Sequence, residues 1–167
     1  MADITVAKVM QKMVEYFHGD AKRIQHAIKV HSFSRNIALL SDLKMDKLTV
    51  LEITALLHDI GIHECERKYN STAGHYQEIE GPHIARSLLN GIALEQDDID
   101  RITYLIGHHH SYHLVDGIDF QILIEADFLV NLYDDKADEE GILQIREKYF
   151  RTSIGKQILN DMFDLEN

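Results

Sequence analysis

The chain reads as an all-α protein. It contains a single proline in 167 residues. Turn-forming residues fall far apart, and between them apolar residues recur three and four positions on, the period of a helix with one buried face. Long periodic segments with few breakers, joined by short connections, make a helical bundle.

The first helix is expected from about Asp3 to His18, where Ile4, Val6, Val9, Met10, Met13, Val14 and Phe17 form a broad apolar face between an Asp3 cap and Gly19. A second starts after Asp20, carries Ile24, Ala27, Ile28, Ile37 and Leu40, and runs to about Asp42. Asp46 caps a third, which buries Leu48, Leu51, Ala55 and Leu56 and ends at Gly61. From Ile62 to Glu80 the period is lost, and Lys68, Asn70, Ser71, Thr72 and Gly74 read as a polar loop, long enough to suggest a functional one. Gly81-Pro82 opens a short helix with proline in its first position, which continues through Ile84, Ala85, Leu88 and Leu89 to Gly91. Asp97 or Asp98 caps the next, which leads through Ile102, Leu105 and Ile106 into the histidine run His108-His109-His110. Asp119 opens the helix carrying Asp127, and weaker helices follow at about Asp138 to Phe150 and Ser153 to Phe163. With no repeat, low-complexity tract or linker, residues 1–167 form one expected domain.

Composition narrows the function. A hydrophobic content of 45% supports one substantial core. The formal net charge of −11 repels a nucleic-acid backbone or an anionic membrane, so neither is an expected partner. A small anionic substrate remains compatible, because a bound cation reverses the field inside a pocket. Cys65 is the only cysteine, which leaves no intramolecular disulfide and no cysteine-zinc cluster. The opening residues Met1 to Val6 lack a basic-then-apolar leader, and no apolar run is long enough to span a bilayer. A cytoplasmic protein is expected, as monomer or homo-oligomer.

The chemistry concentrates at Leu56-Leu57-His58-Asp59-Ile60-Gly61, an imidazole and a carboxylate side by side at the end of an apolar helix. Both are costly to bury unpaired, and a divalent cation pairs with both. His26, in a helical segment, and Asp127, in the apolar run Ile122 to Val130, occur in comparable settings. Two histidines and two carboxylates form a mixed nitrogen and oxygen set suited to Fe, Mn, Co, Ni or Zn.

These residues resemble the HD-domain superfamily of metal-dependent phosphohydrolases, over a motif-bearing core of about residues 20–134. The resemblance implies a single helical domain of HD type. It also implies His26, His58, Asp59 and Asp127 as ligands of one ion, and a nucleotide or other small phosphate ester as substrate, hydrolysed by a metal-activated water. Two-metal members draw further histidines from the region of His108 to His110 and from the segment before the helix start at Gly81. There this chain has Gln77, flanked by His75 and His83, so a second ion stays open. Asp59, His108 and His109 are the candidate catalytic residues, with His108 or His109 binding phosphate or moving a proton. The family's HD-Ile-Gly is often followed by lysine, and here Ile62 and His63 follow. Lys68, Arg23 and Arg86 are the replacement phosphate contacts, Lys68 foremost. Glu78 and Glu80 read equally as general bases or as first-turn carboxylates, and Tyr69 and Tyr76 as base-stacking or packing residues. A competing reading is a catalytically silent, metal- or nucleotide-binding regulatory module with the same fold. A purely structural bundle would leave Asp59 and Asp127 unexplained.

Overall fold

The computed structural model describes residues 2–41 and 45–166, and of Ala2, Met45 and Asp46 the backbone alone. Among the described residues are nine α-helices, a short 3-10 turn at Tyr112–Leu114 and no strand. In chain order they are α1 (Ala2–Tyr16), α2 (Ala21–Leu39), α3 (Met45–Leu57), α4 (Ile62–Tyr69), α5 (Gly74–Leu88), α6 (Gln96–Ile106), α7 (Ile118–Asp134), α8 (Glu139–Tyr149) and α9 (Ser153–Phe163). None is long and apolar enough to cross a membrane.

The centre of the bundle is α3, whose Leu48, Val50, Leu51, Ile53, Ala55, Leu56 and Leu57 are all buried. A helix apolar on every side needs neighbours on every side, and α3 packs against α1, α2, α6 and α7. α7 is nearly as apolar and also packs on α2. The last residues of α3 therefore lie beside both α2 and α7. α2 begins where Asp20 caps it, the carboxylate accepting the Arg23 backbone N–H at 3.2 Å.

Several boundaries differ from the expected ones. The side chain of Asp46, expected to cap the third helix, and Asp42, the expected end of the second, lie outside the described residues. The expected loop from Ile62 to Glu80 is instead helix α4, a turn, and the first half of α5. α4 buries Cys65 and holds its outer face with Arg67 and Lys68 on Glu64, at 2.6 and 3.2 Å. The first half of α5 eludes an apolar-periodicity reading because the residues buried there are Gln77 and Glu80, followed by Gly81. Their small or polar side chains let neighbouring backbones approach. Pro82 accordingly sits inside α5 rather than at its start, where it cannot donate to the Glu78 carbonyl. Neither Asp97 nor Asp98 caps α6; both lie in its first turn behind Glu95. Asp119 likewise lies within the first turn of α7, gripped by Arg101 at 2.7 and 2.9 Å.

Candidate metal centre

Three elements bring the motif together. α2 presents His26, the turn directly after α3 presents His58 and Asp59, and the middle of α7 presents Asp127. His26 Nε2 lies 3.2 Å from His58 Nε2, 3.4 Å from Asp59 Oδ2 and 3.2 Å from Asp127 Oδ1. His58 Nε2 lies 3.5 Å from Asp59 Oδ2 and 3.4 Å from Asp127 Oδ1. Edges of this length are those of nitrogen and oxygen ligands held about 2.0–2.2 Å from a common ion.

Neighbouring groups aim these atoms. His58 is fully buried, and its Nδ1–H donates to the Ala55 carbonyl at 2.8 Å, which leaves the Nε2 lone pair for the cluster. Asn131, one turn beyond Asp127, donates Nδ2–H to Asp127 Oδ1 at 3.0 Å. At the entrance to α2, His63 donates to Asp20 Oδ2 at 2.8 Å, tying α4 to the turn that precedes His26. Burial opposes the charge on Asp20, but His63 and Arg23 prevail and bring its carboxyl down to about 2.

The electrostatics call for a cation. Burial disfavours a charged His58, yet Asp59 and Asp127 overcome that cost and lift its imidazole to about 9. Against the same burial cost, His58 and His109 hold Asp59 below the usual carboxylate range, and His26 and His58 do so for Asp127. Two ionised carboxylates facing two imidazoles in a largely dry setting need positive charge at their centre. A proton on His58 supplies one unit, and a divalent ion would supply two. The donor set fits such an ion.

Among solved structures, the crystal structure of a predicted HD superfamily hydrolase from an uncultured Thermotogales bacterium matches with a TM-score of 0.69. It covers 95% of this chain and 84% of that one at 20% sequence identity. The chain has the HD-hydrolase fold. No protein-family profile and no curated protein matches it. The His/Asp cluster in this fold is a donor set compatible with a divalent metal ion.

In this HD fold the other sequence candidates separate. Arg23 lines a cleft of about 320 Å³ that opens on His26 and Asp59. Its two terminal nitrogens are engaged by Asp20 at 2.7 Å and Glu66 at 2.6 Å. Lys68 does not line that cleft; it reaches the buried carboxylate of Glu80 at 2.8 Å, which Tyr69 shares at 2.7 Å. Arg86 pairs with Asp100 and, with His108, lines a separate groove between α5 and α6. His108 donates to the Tyr104 carbonyl at 2.7 Å and stacks on that tyrosine, away from the cluster. His109 is buried and its Nε2 lies 3.4 Å from Asp59 Oδ1. α6 ends at Ile106, so the histidines occupy a turn and are freed from helical phasing. Glu78 accepts from the His110 backbone N–H and the Ser111 hydroxyl. Tyr69 and Tyr76 stack on each other at 4.0 Å.

Sequence reasoning missed Lys22, Thr72, Asn131, Asp134 and Asp135, which also line the cleft. Only Asn131 carried a local signal, an amide one helical turn after a carboxylate in an apolar run.

Proposed function

We propose that the chain is a metal-dependent phosphohydrolase that cleaves a nucleotide or another small phosphate ester, with His26, His58, Asp59 and Asp127 holding the ion. The observation that carries this reading is the convergence of four donor atoms, with five of their separations between 3.2 and 3.5 Å. When bound, the cation would polarise a phosphoryl oxygen and make water acidic enough to attack at neutral pH. Ala55 and Asn131 keep His58 and Asp127 oriented for that ion. Lys22 and Arg23 set positive charge at the mouth of the cleft, where an anionic ester would enter. Arg23 is already shared by two carboxylates, so Lys22 is the less committed of the two. A cleft of about 320 Å³ suits a small ester rather than a polymer, and the net charge of −11 supports the same choice.

The test is metal analysis of protein purified without chelator, followed by assay on phosphomonoesters, phosphodiesters and nucleotides with Mn, Fe, Co, Ni and Zn. Turnover that needs a transition metal and is lost with that metal in Asp59→Asn supports the reading. Full metal content and turnover in Asp59→Asn would remove Asp59 from the centre. Metal binding without turnover on any ester would favour a regulatory module.

A further inference from the structure

We propose that the cleft selects phosphate esters of polyhydroxy alcohols, with Asn131 and Asp135 of α7 accepting hydrogen bonds from the hydroxyls of the alcohol half. The inference rests on the phosphohydrolase reading above.

α7 carries a polar stripe up the cleft wall. Asn131 stands one turn beyond Asp127, and Asp135, the C-cap of the helix, stands one turn beyond Asn131. α2 sets the polarity of the cleft. Lys22 and Arg23 line it four and three residues before His26, whereas Lys29, three residues after His26, pairs with Asp134 at 2.8 and 3.0 Å. The cations and the acidic end therefore lie on opposite sides of the metal centre. A phosphate drawn toward Lys22 leaves its alcohol on the side of Asn131 and Asp135.

That side offers acceptors. Asp127 is an ionised carboxylate and can only accept, so Asn131 turns its Nδ2–H to Asp127 Oδ1 at 3.0 Å and keeps its own carbonyl oxygen as an acceptor at the cleft. Lys29 occupies Asp134, while Asp135 is exposed and has no ion pair among the described residues. A carboxylate at a helix C-terminus opposes the helix dipole, and nothing in the fold offsets it at Asp135. An amide oxygen and a carboxylate one turn apart match neighbouring hydroxyls, which donate; a further phosphate has only acceptors and negative charge to offer them.

The rest of the lining points to the same class. Ile62 is its one apolar side chain among the described residues, and no aromatic ring lines it, since Tyr69 and Tyr76 stack on each other instead. Pockets that hold flat or apolar ligands are lined mainly by apolar and aromatic groups. A cleft of about 320 Å³ with one apolar contact and a wall of acceptors suits the carbon skeleton and hydroxyls of a sugar-like ester.

The experiment measures kcat/KM of the Mn²⁺-loaded full chain on ribose 5-phosphate, its 2,3-dideoxy analogue and aminoethyl phosphate. Ribose 5-phosphate is expected to exceed the dideoxy ester by about 10–100-fold, the discrimination that hydrogen bonds to a charged acceptor supply. Asp135→Ala should bring that ratio close to one, with Mn²⁺ affinity at the wild-type value and Tm no lower. Asn131→Ala should reduce the ratio and also weaken Mn²⁺ binding by about 10–100-fold, because the same amide orients Asp127. Equal kcat/KM on the ribose and dideoxy esters, a ratio that survives in Asp135→Ala, or a preference for aminoethyl phosphate overturns the hydroxyl assignment and leaves the phosphohydrolase reading intact. No turnover of any ester overturns both.

Discussion

Gly61→Ala should damage stability and metal binding together. A Cβ at this position would stand 2.7 Å from Gly81 N, 3.0 Å from Gly81 Cα and 3.2 Å from the Glu80 carbonyl carbon. Carbon contacts are comfortable at about 3.5–4.0 Å, so all three are too short, and all three meet backbone that no rotamer change can move. The only relief is to separate the start of α4 from the middle of α5. Overpacking a well-filled site costs about 1–3 kcal/mol, and a backbone collision belongs at the upper end. A loss of about 3 kcal/mol would lower Tm by roughly 6–12 °C in a chain of this size. Asp59 lies two residues before the collision, so Mn²⁺ affinity should fall about tenfold or more as its carboxylate is displaced. Urea unfolding gives the stability change through the midpoint at constant slope, and calorimetry gives the affinity. A midpoint equivalent to within about 0.5 kcal/mol of wild type, with undiminished Mn²⁺ binding, would show that the two helices have slack and refute the close-approach argument.

The raised pKa of His58, about 9 against 6.5 in the unfolded chain, stabilises the metal-free fold fully below pH 6.5 and is lost as pH climbs through 9. Tm of the chelated protein should therefore fall across that window, and added Mn²⁺, which binds the deprotonated nitrogen, should recover most at its alkaline end; a flat chelated profile would contradict the buried charge. Glu125, fully buried, accepts from the Arg151 and Thr152 backbone N–H groups, the Thr152 hydroxyl and Gln121. Glu125→Leu orphans those donors and should cost about 3–5 kcal/mol by freeing the connection between α8 and α9, while Mn²⁺ stoichiometry stays at the wild-type value. Lys68→Ala should lower Tm by leaving the Glu80 carboxylate short of a partner and leave KM for an identified ester unchanged; a raised KM would return Lys68 to the phosphate-binding role read from sequence.

Much of the molecule is encoded locally and could be read in one dimension. Helices α1, α2, α3 and α7 follow from apolar periodicity, and α8 and α9 from weaker versions of it. The Asp20 cap follows from a side chain that reaches only three residues along the chain. His26, His58, Asp59 and Asp127 stood out for a related reason: each is polar in a segment whose neighbours are built to be buried, so each calls for a partner. Their meeting point is then a consequence of α2 packing on both α3 and α7.

Only the tertiary structure decided what depends on distant partners. α4 and the first half of α5 were invisible to periodicity because α4 buries Cys65 alone and the first half of α5 buries Gln77 and Glu80 in place of apolar side chains. The directions of His108, His109 and His110 could not follow from a 100° helical step, since α6 stops at Ile106 and the turn turns one ring outward and two toward Asp59. Lys68 looked free because Glu80 lies twelve positions away, on another helix. Local sequence specifies which face of a helix is buried, because that depends on side chains one turn apart. Which charge meets which is set by the packing of whole helices, and that is determined only when the chain has closed around α3.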